Sequence, residues 1–573
     1  MKKLWMSLLA ISLGMTTYAQ STMWVFFSDK GQDATALLSQ PEALLSPTAL
    51  ERRAEKGLAL DQHDLPVASA YLQSLRDLGL DVVGTSRWLN AAAVQGEAAD
   101  WAAVKAMPQV VGMRPVASFT RYSTQTEASL DALLPNANAP EYGRAERQNT
   151  MINIAPLHEA GITGKGVTVA VLDAGFPGVD KVDAFAKLRE EGRIVATYDF
   201  VEDTSYVYWA SSHGTNVLST IAADLPGEMV GTAPDVKVIL CRTEYAPTET
   251  QVEEHNFVEA IEFADSIGVD VIHASLGYTQ FDNPEESYSY EDLDGDKAIT
   301  TRAVDLAAQK GIIVTISAGN EGSDPWRHIS VPGDADSILT VGAVDRDEKL
   351  AYFSSVGPTA DGRIKPDVVA MGVATAVVRP SGKIGASNGT SFSGPIMAGV
   401  MACLRQAHPE RSNMDLIQAI RLSGDQYNFP DNEYGYGVPD AAFADSLLRT
   451  VKDLSTVEIL SEEKPVREAE MEAEISSVFE LPEEEVTEIV YTENPQTTFK
   501  QKRRKLIIDT KQANTVISEL SLFRGEEAVS VDPMDMASDP YRVTVKTKYL
   551  LPGEYYLYIE TEQFEEYLPF TIK

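Results

Sequence analysis

The sequence predicts an α/β protein. Its centre is a doubly wound, mostly parallel sheet, with a small α+β unit on its N-terminal side and a small all-β unit on its C-terminal side. Three observations carry this. Between Met151 and Leu448, short continuous apolar runs alternate with amphipathic stretches of helical period, the pattern of a parallel sheet covered on both faces. From Met23 to Pro115, strand-like and helical pieces are mixed, which suggests a small α+β layer. From Leu506 onward, strict two-residue alternation returns.

In chain order, Lys2 and Lys3 precede an apolar stretch from Leu4 to Met15, and Thr17-Tyr18-Ala19 offers small residues for cleavage. Residues 1–20 therefore read as a secretory signal peptide. No later stretch approaches about 20 consecutive apolar residues, so no transmembrane segment is expected. Met23–Phe27, Asp81–Val83, Ala91–Val94 and Val110–Pro115 read as strands, and Pro47–Gly57, Val67–Leu78 and Ala98–Met107 as helices. Residues 119–150, rich in Pro, Asn, Ser and Thr, read as a linker.

In the central part the expected strands are Val167–Leu172, Val236–Cys241, Val269–Ala274, Ile312–Ser317 and Ile338–Val344. The expected helices are Gly214–Ala223, Val258–Ser266, Ile299–Gln309 and Ser393–Gln406. Residues 449–490 read as an acidic spacer. From Lys452 to Phe499 there are 14 acidic side chains against 3 basic ones. Tyr541–Lys546, Gly553–Ile559 and Tyr567–Ile572 then read as strands of a β-domain over residues 491–573.

A length of 573 residues calls for more than one domain, and a formal net charge of −37 excludes nucleic acid as a partner, since nothing would neutralise phosphates on that scale. Cys241 and Cys403 each sit in an apolar run and read as free buried thiols.

The chemistry concentrates in three motifs. Val-Ala-Val-Leu-Asp173-Ala-Gly puts a carboxylate at a strand end, where open α/β sheets bind ligands. Ser-Ser-His213-Gly-Thr-Asn-Val puts an imidazole at a helix start, and Gly-Thr-Ser391-Phe-Ser-Gly-Pro puts a hydroxyl at another. A serine at the first turn of a buried helix has orphan backbone N–H groups beside it, but it needs a base and a group to orient that base. His213 and Asp173 are the candidates. Each residue alone would more often be a cap or a surface group; the three together, in matching contexts, point to catalysis.

At these motifs the sequence resembles the subtilisin-like serine proteases, and the order Asp173, His213, Ser391 agrees with that family. An α/β-hydrolase needs the order Ser, acid, His and a Gly at 393, where this chain has Ser393. The resemblance spans Met151 to Ala444. It implies a serine endopeptidase: Ser391 as nucleophile, His213 as base, Asp173 as its orienting acid and Asn320, in Ile316-Ser-Ala-Gly-Asn320-Glu-Gly, as an oxyanion donor. It also implies that Ser275, Leu276 and Gly277 lie beside a polypeptide substrate. Ala174 and Leu218-Ser219 depart from the family pattern without removing a catalytic group. Residues 21–118 resemble the family's inhibitory propeptide, which implies self-processing between Ser118 and Ala145. The C-terminal β-domain, with Tyr491-Thr-Glu-Asn494-Pro495, loosely resembles a type IX secretion sorting domain, implying secretion machinery as a partner and a secreted or cell-surface location.

No cofactor is expected. Asp292-Leu-Asp294-Gly-Asp296 offers carboxylates for calcium, but its glycine is misplaced for a calcium-binding loop and an acidic solvated loop is the better reading. The rival functions are a scaffold that kept this fold without activity and a maturation protease devoted to one partner.

Overall fold

The computed structural model describes residues 21–96, 101–116, 142–245, 250–281 and 287–454, together with strand segments between 498 and 572. The signal-peptide and acidic-spacer readings fall outside the described residues, apart from the spacer's first residues. The chain divides into two units, Met1–Glu472 and Ala473–Lys573.

Seven parallel strands form the central sheet. Their spatial order is Val368–Met371, Leu339–Val344, Ile313–Ser317, Val271–Ala274, Thr168–Asp173, Lys237–Arg242 and Ile194–Asp199. All six residues of Thr168–Asp173 are buried, which is why its sequence is a continuous apolar run and not an alternation. From this strand the chain builds the sheet in one direction, then resumes at Val271–Ala274 on its other side. The strand order thus reverses beside Thr168–Asp173, and Asp173 stands at its carboxyl end, where such sheets form a crevice.

Two edge strands, Ile194–Asp199 and Val368–Met371, escaped the sequence reading. The first is mostly only half-buried, so its composition is mixed; the second has only four residues. Two further helices, Asn413–Leu422 and Ala441–Thr450, complete one face. The first opens with a capping box in which Ser412 and Asp415 bond each other's backbone N–H.

The helices divide by face. His213–Ala222 and Thr390–Ala407 pack together on one side through Val217, Ile221, Met397, Val400 and Met401. Gln251–Ile267 and Ile299–Gln309 cover the other through Phe257, Ile261 and Val304. Cys241 and Cys403 are free and buried as expected, burial pushing both thiols up. Among the described residues no helix is long and apolar enough to cross a membrane.

The N-terminal unit is a four-stranded antiparallel sheet, ordered Asp81–Ser86, Ala91–Gly96, Ser21–Phe27, Val110–Val116. Trp24, Trp88 and Leu89 bury against the Gln251–Ile267 layer. A buried charge cluster closes the seam. Arg52 donates to Asp265 (2.8 Å), Arg53 bridges Asp265 (2.9 Å) and Asp64 (3.2 Å), and Lys310 reaches Asp64 (2.9 Å). The linker reading ends early: the Tyr142 hydroxyl meets His158 Nδ1 (2.9 Å), Ala145 is fully buried and Glu146–Met151 is helical.

In the C-terminal unit, Thr498–Lys502, Lys505–Asp509, Arg542–Lys546 and Pro533–Met534 form one antiparallel sheet. Glu527–Val529, Ile517–Arg524, Gly553–Thr561 and Glu565–Ile572 form another. The expected all-β character is present.

Candidate active site

Asp173 ends its strand fully buried. Its Oδ1 accepts the Ala174 backbone N–H (2.7 Å), so at Ala174 the backbone, not the side chain, supports the acid. His213 begins the facing helix, its own N–H donating to Ser211 Oγ (3.2 Å). The imidazole Nδ1 lies 2.9 Å and 3.0 Å from the two Asp173 oxygens. A hydrogen on Nδ1 satisfies that contact, leaving Nε2 as the lone-pair nitrogen. Burial disfavours the charged ring, but the Asp173 carboxylate outweighs it, and the His213 pKa is raised above its usual value. The ring remains 34% exposed, so it can be reached from the cleft. Gly214 must follow it, because a Cβ there would meet Gly175 O at 2.4 Å and Asp173 Cβ at 2.9 Å.

Ser391 is the second residue of Thr390–Ala407, 8% exposed. Gly389 precedes the helix at φ 147°, a conformation that favours glycine. Pro395 is the fourth residue after Ser391 and has no N–H, so the Ser391 carbonyl lacks the usual i+4 donor. The Ser275 hydroxyl supplies a substitute at 2.9 Å. Buried His273 contacts the same hydroxyl through Nε2 (2.8 Å) and Thr315 Oγ1 through Nδ1 (3.0 Å). His273 is a core histidine, its pKa pushed down to about 3 by burial, yet it orients a site residue.

Asn320 lies three residues beyond Ile313–Ser317. Its Oδ1 accepts from the Thr390 N–H (2.9 Å) and the Thr390 hydroxyl (3.1 Å), which turns Nδ2 the other way. Asn320, Ser391, Ser275, Leu276 and Gly277 all line one cleft of about 200 Å³. Among the described residues, Leu276 and Gly277 make no backbone hydrogen bond. The structure thus gathers every sequence-predicted site residue except Asp173 and His213 along that cleft, and seats those two as a pair on the neighbouring strand end and helix. Phe392, next to Ser391, has its ring 6.0 Å from that of His213.

Sequence reasoning missed Thr390, Glu244 and Glu321. Glu244 follows Lys237–Arg242 at the carboxyl edge of the sheet, a position that could have flagged it. Leu218 and Ser219 are buried, Ser219 Oγ accepting the Val378 N–H (2.9 Å), so that departure is one of packing.

A buried Asp–His pair at the switch point of a parallel sheet, with a serine in the first turn of a helix beside it, is the arrangement of a serine hydrolase built on an α/β fold. The Subtilase family profile matches residues 164–437, and that of the Peptidase S8 propeptide domain, Bacteroidota, matches residues 22–129. The chain is 30% identical to Serine protease AprX of Bacillus subtilis (strain 168) over 313 residues, 49% of this chain and 66% of that protein. It is 31% identical to Subtilisin DY of Bacillus licheniformis over 289 residues, 50% of this chain and 93% of that one. Its fold matches the epidermin leader peptide processing serine protease of Staphylococcus aureus with a TM-score of 0.52 at 16% identity, covering 76% of this chain and all of that one. The chain belongs to the subtilase family. It carries the family's propeptide domain on its N-terminal side.

Proposed function

We propose that the protein is a secreted endopeptidase that cleaves polypeptides through an acyl-enzyme on Ser391 and is made as a self-processed zymogen. The observation that carries this is the Asp173–His213 contact beside a cleft holding both Ser391 and Asn320. Ser391 Oγ attacks the peptide carbonyl and passes its proton to His213 Nε2. Asn320 Nδ2 and the Ser391 N–H hold the oxyanion, and His213 then protonates the leaving amine. Water, deprotonated by the same imidazole, releases the acyl group. The unpaired backbone of Leu276 and Gly277 suits a substrate that adds as an extended strand. Secretion rests on the residue 1–20 pattern, and export through the C-terminal β-domain on Tyr491–Pro495. Processing falls between Ser118 and Ala145, and the packing of Tyr142 to Ala145 favours the part before Tyr142.

The test is a fluorophosphonate probe on secreted full-length protein, followed by peptide mass spectrometry. An adduct on Ser391 with a new N-terminus in that interval supports the reading; an unlabelled chain, still unlabelled after an added protease trims the N-terminal unit, removes it.

Asn320→Leu is expected to lower kcat by about 10²–10³ with KM little changed, a scale carried over from subtilisin. Steady-state kinetics on one peptide checks it. Asp265→Ala is expected to loosen the N-terminal unit, because Arg52 and Arg53 lose a buried partner. Breaking such a pair costs about 3–5 kcal/mol. Gel filtration after processing should show the cleaved N-terminal unit leaving the variant and staying with the wild type.

A further inference from the structure

Trp209 lies outside all three motifs, yet it is tied to the same edge of the sheet as Asp173. Three neighbouring strands end there in charged residues: Thr168–Asp173, Lys237–Arg242 and Ile194–Asp199, with Asp173 opposite Arg242 and Arg242 opposite Asp199. Arg242 and Asp199 are both buried and form an ion pair (2.9 Å). Asp199 Oδ1 also accepts the Val201 and Glu202 N–H groups (3.0 Å and 3.1 Å), so the pair is fixed to the backbone. Trp209 sits on it through two different contacts. Its indole N–H donates to Asp199 Oδ2 (3.1 Å), and the Arg242 guanidinium carbon lies 4.5 Å from the ring centroid.

The Trp209 side of this contact is 39% exposed, so burial in the core does not explain its position. A charge-assisted hydrogen bond and a cation–π contact hold the ring instead. His213 comes four residues later, and the path between is tight. The Trp209 carbonyl lies against Gly175 and leaves no room there for a Cβ. Ala210 takes φ 63°, a left-handed conformation rare for alanine, which persists only where its surroundings fix it. The Ser211 N–H then donates to the carbonyl of Ala174, the residue after the acid (3.3 Å), and Ser211 Oγ accepts the His213 N–H (3.2 Å). A catalytic group displaced by as little as about 1 Å loses about 10² in rate.

On the reading of His213 as the base, we propose that Trp209 is a positioning residue for the reaction. Anchored on the Arg242–Asp199 pair, it holds the Ala210 to Ser212 segment against Ala174 and Gly175 and thereby keeps the His213 ring on Asp173.

The test compares processed full-length enzyme with two variants. Trp209→Phe keeps a ring for Arg242 but has no N–H, and Trp209→Ala keeps neither. The end point of fluorophosphonate labelling on Ser391 counts the working sites, and kcat on one peptide is expressed per labelled site. Trp209→Ala is expected to lower that kcat by about 10-fold or more, within the scale of such a displacement, with KM little changed. Trp209→Phe is expected to fall between it and the wild type. A residue that only stabilises the fold would lower the number of labelled sites and leave kcat per site as it was; that result overturns the inference. So does a higher KM at unchanged kcat, which would put Trp209 in contact with the substrate. Should Trp209→Ala fail to fold, Trp209→Phe decides by the same criterion, and a wild-type kcat per site then overturns the inference. A wild type that does not label on Ser391 overturns the underlying reading, and the inference with it.

Discussion

Replacing Ser391 with alanine is expected to cost about 10⁶ in turnover, a scale carried over from subtilisin. The loss follows from the division of labour at the site. Ser393, the next hydroxyl along the helix, spends its Oγ on the Thr390 carbonyl (3.1 Å) and is no substitute nucleophile. What remains is the oxyanion hole, worth about 10³–10⁴ over water. The variant should keep its fold: no described side chain bonds the Ser391 Oγ, and Ser275 still bonds the backbone carbonyl at 391. Two measurements check this. The variant should reach the medium with its N-terminal unit uncleaved, and after trimming by an added protease its kcat on a peptide should be compared with that of wild type treated the same way. Near-normal hydrolysis would move the nucleophile elsewhere.

Much of this architecture was legible because burial writes itself into the sequence. Thr168–Asp173 is buried on both faces and shows as an unbroken apolar run ending in a charge. Val271–Ala274 and Ile313–Ser317, equally buried, were legible for the same reason. Where the sheet meets solvent the signal fades: Ile194–Asp199 is mostly half-buried, with neither an apolar run nor a clean alternation, and was invisible. The start of Thr390–Ala407 was read late because Pro395 looks like a boundary, whereas it sits within the first two turns and its missing N–H is made good by Ser275. That compensation joins residues 116 positions apart. So does the pairing of Thr390 with Asn320, 70 positions apart. No local pattern encodes either. Glu321 and Glu244 were passed over for a related reason: a glutamate's chemistry depends on whether water reaches it, and their burial is set by Ser330, Ser355, Tyr278 and the neighbouring strands.

Asp173→Asn is expected to lower kcat by about 10⁴ and to move the pH profile at the same time. The asparagine amide fits the space but can donate to His213 Nδ1, which then places the ring hydrogen on Nε2. That tautomer cannot accept the serine proton. The pH effect has a definite sign. In the wild type the Asp173 carboxylate overrides burial and holds the His213 pKa above its usual value, so kcat/KM should rise with pH through a value above about 6.5. Without that charge, only the smaller field of Glu244 opposes burial, so the acid limb should shift to lower pH while the plateau collapses. Stability moves through the same linkage. A raised folded-state pKa stabilises the wild type fully below the unfolded value of about 6.5, and the contribution is lost as pH rises through the folded value. The difference in thermal stability between the two proteins should therefore be larger at pH 5.5 than at pH 9. A variant whose acid limb stays in place would mean that Asp173 sets the ring's orientation but not its charge, and its plateau would then report the tautomer alone.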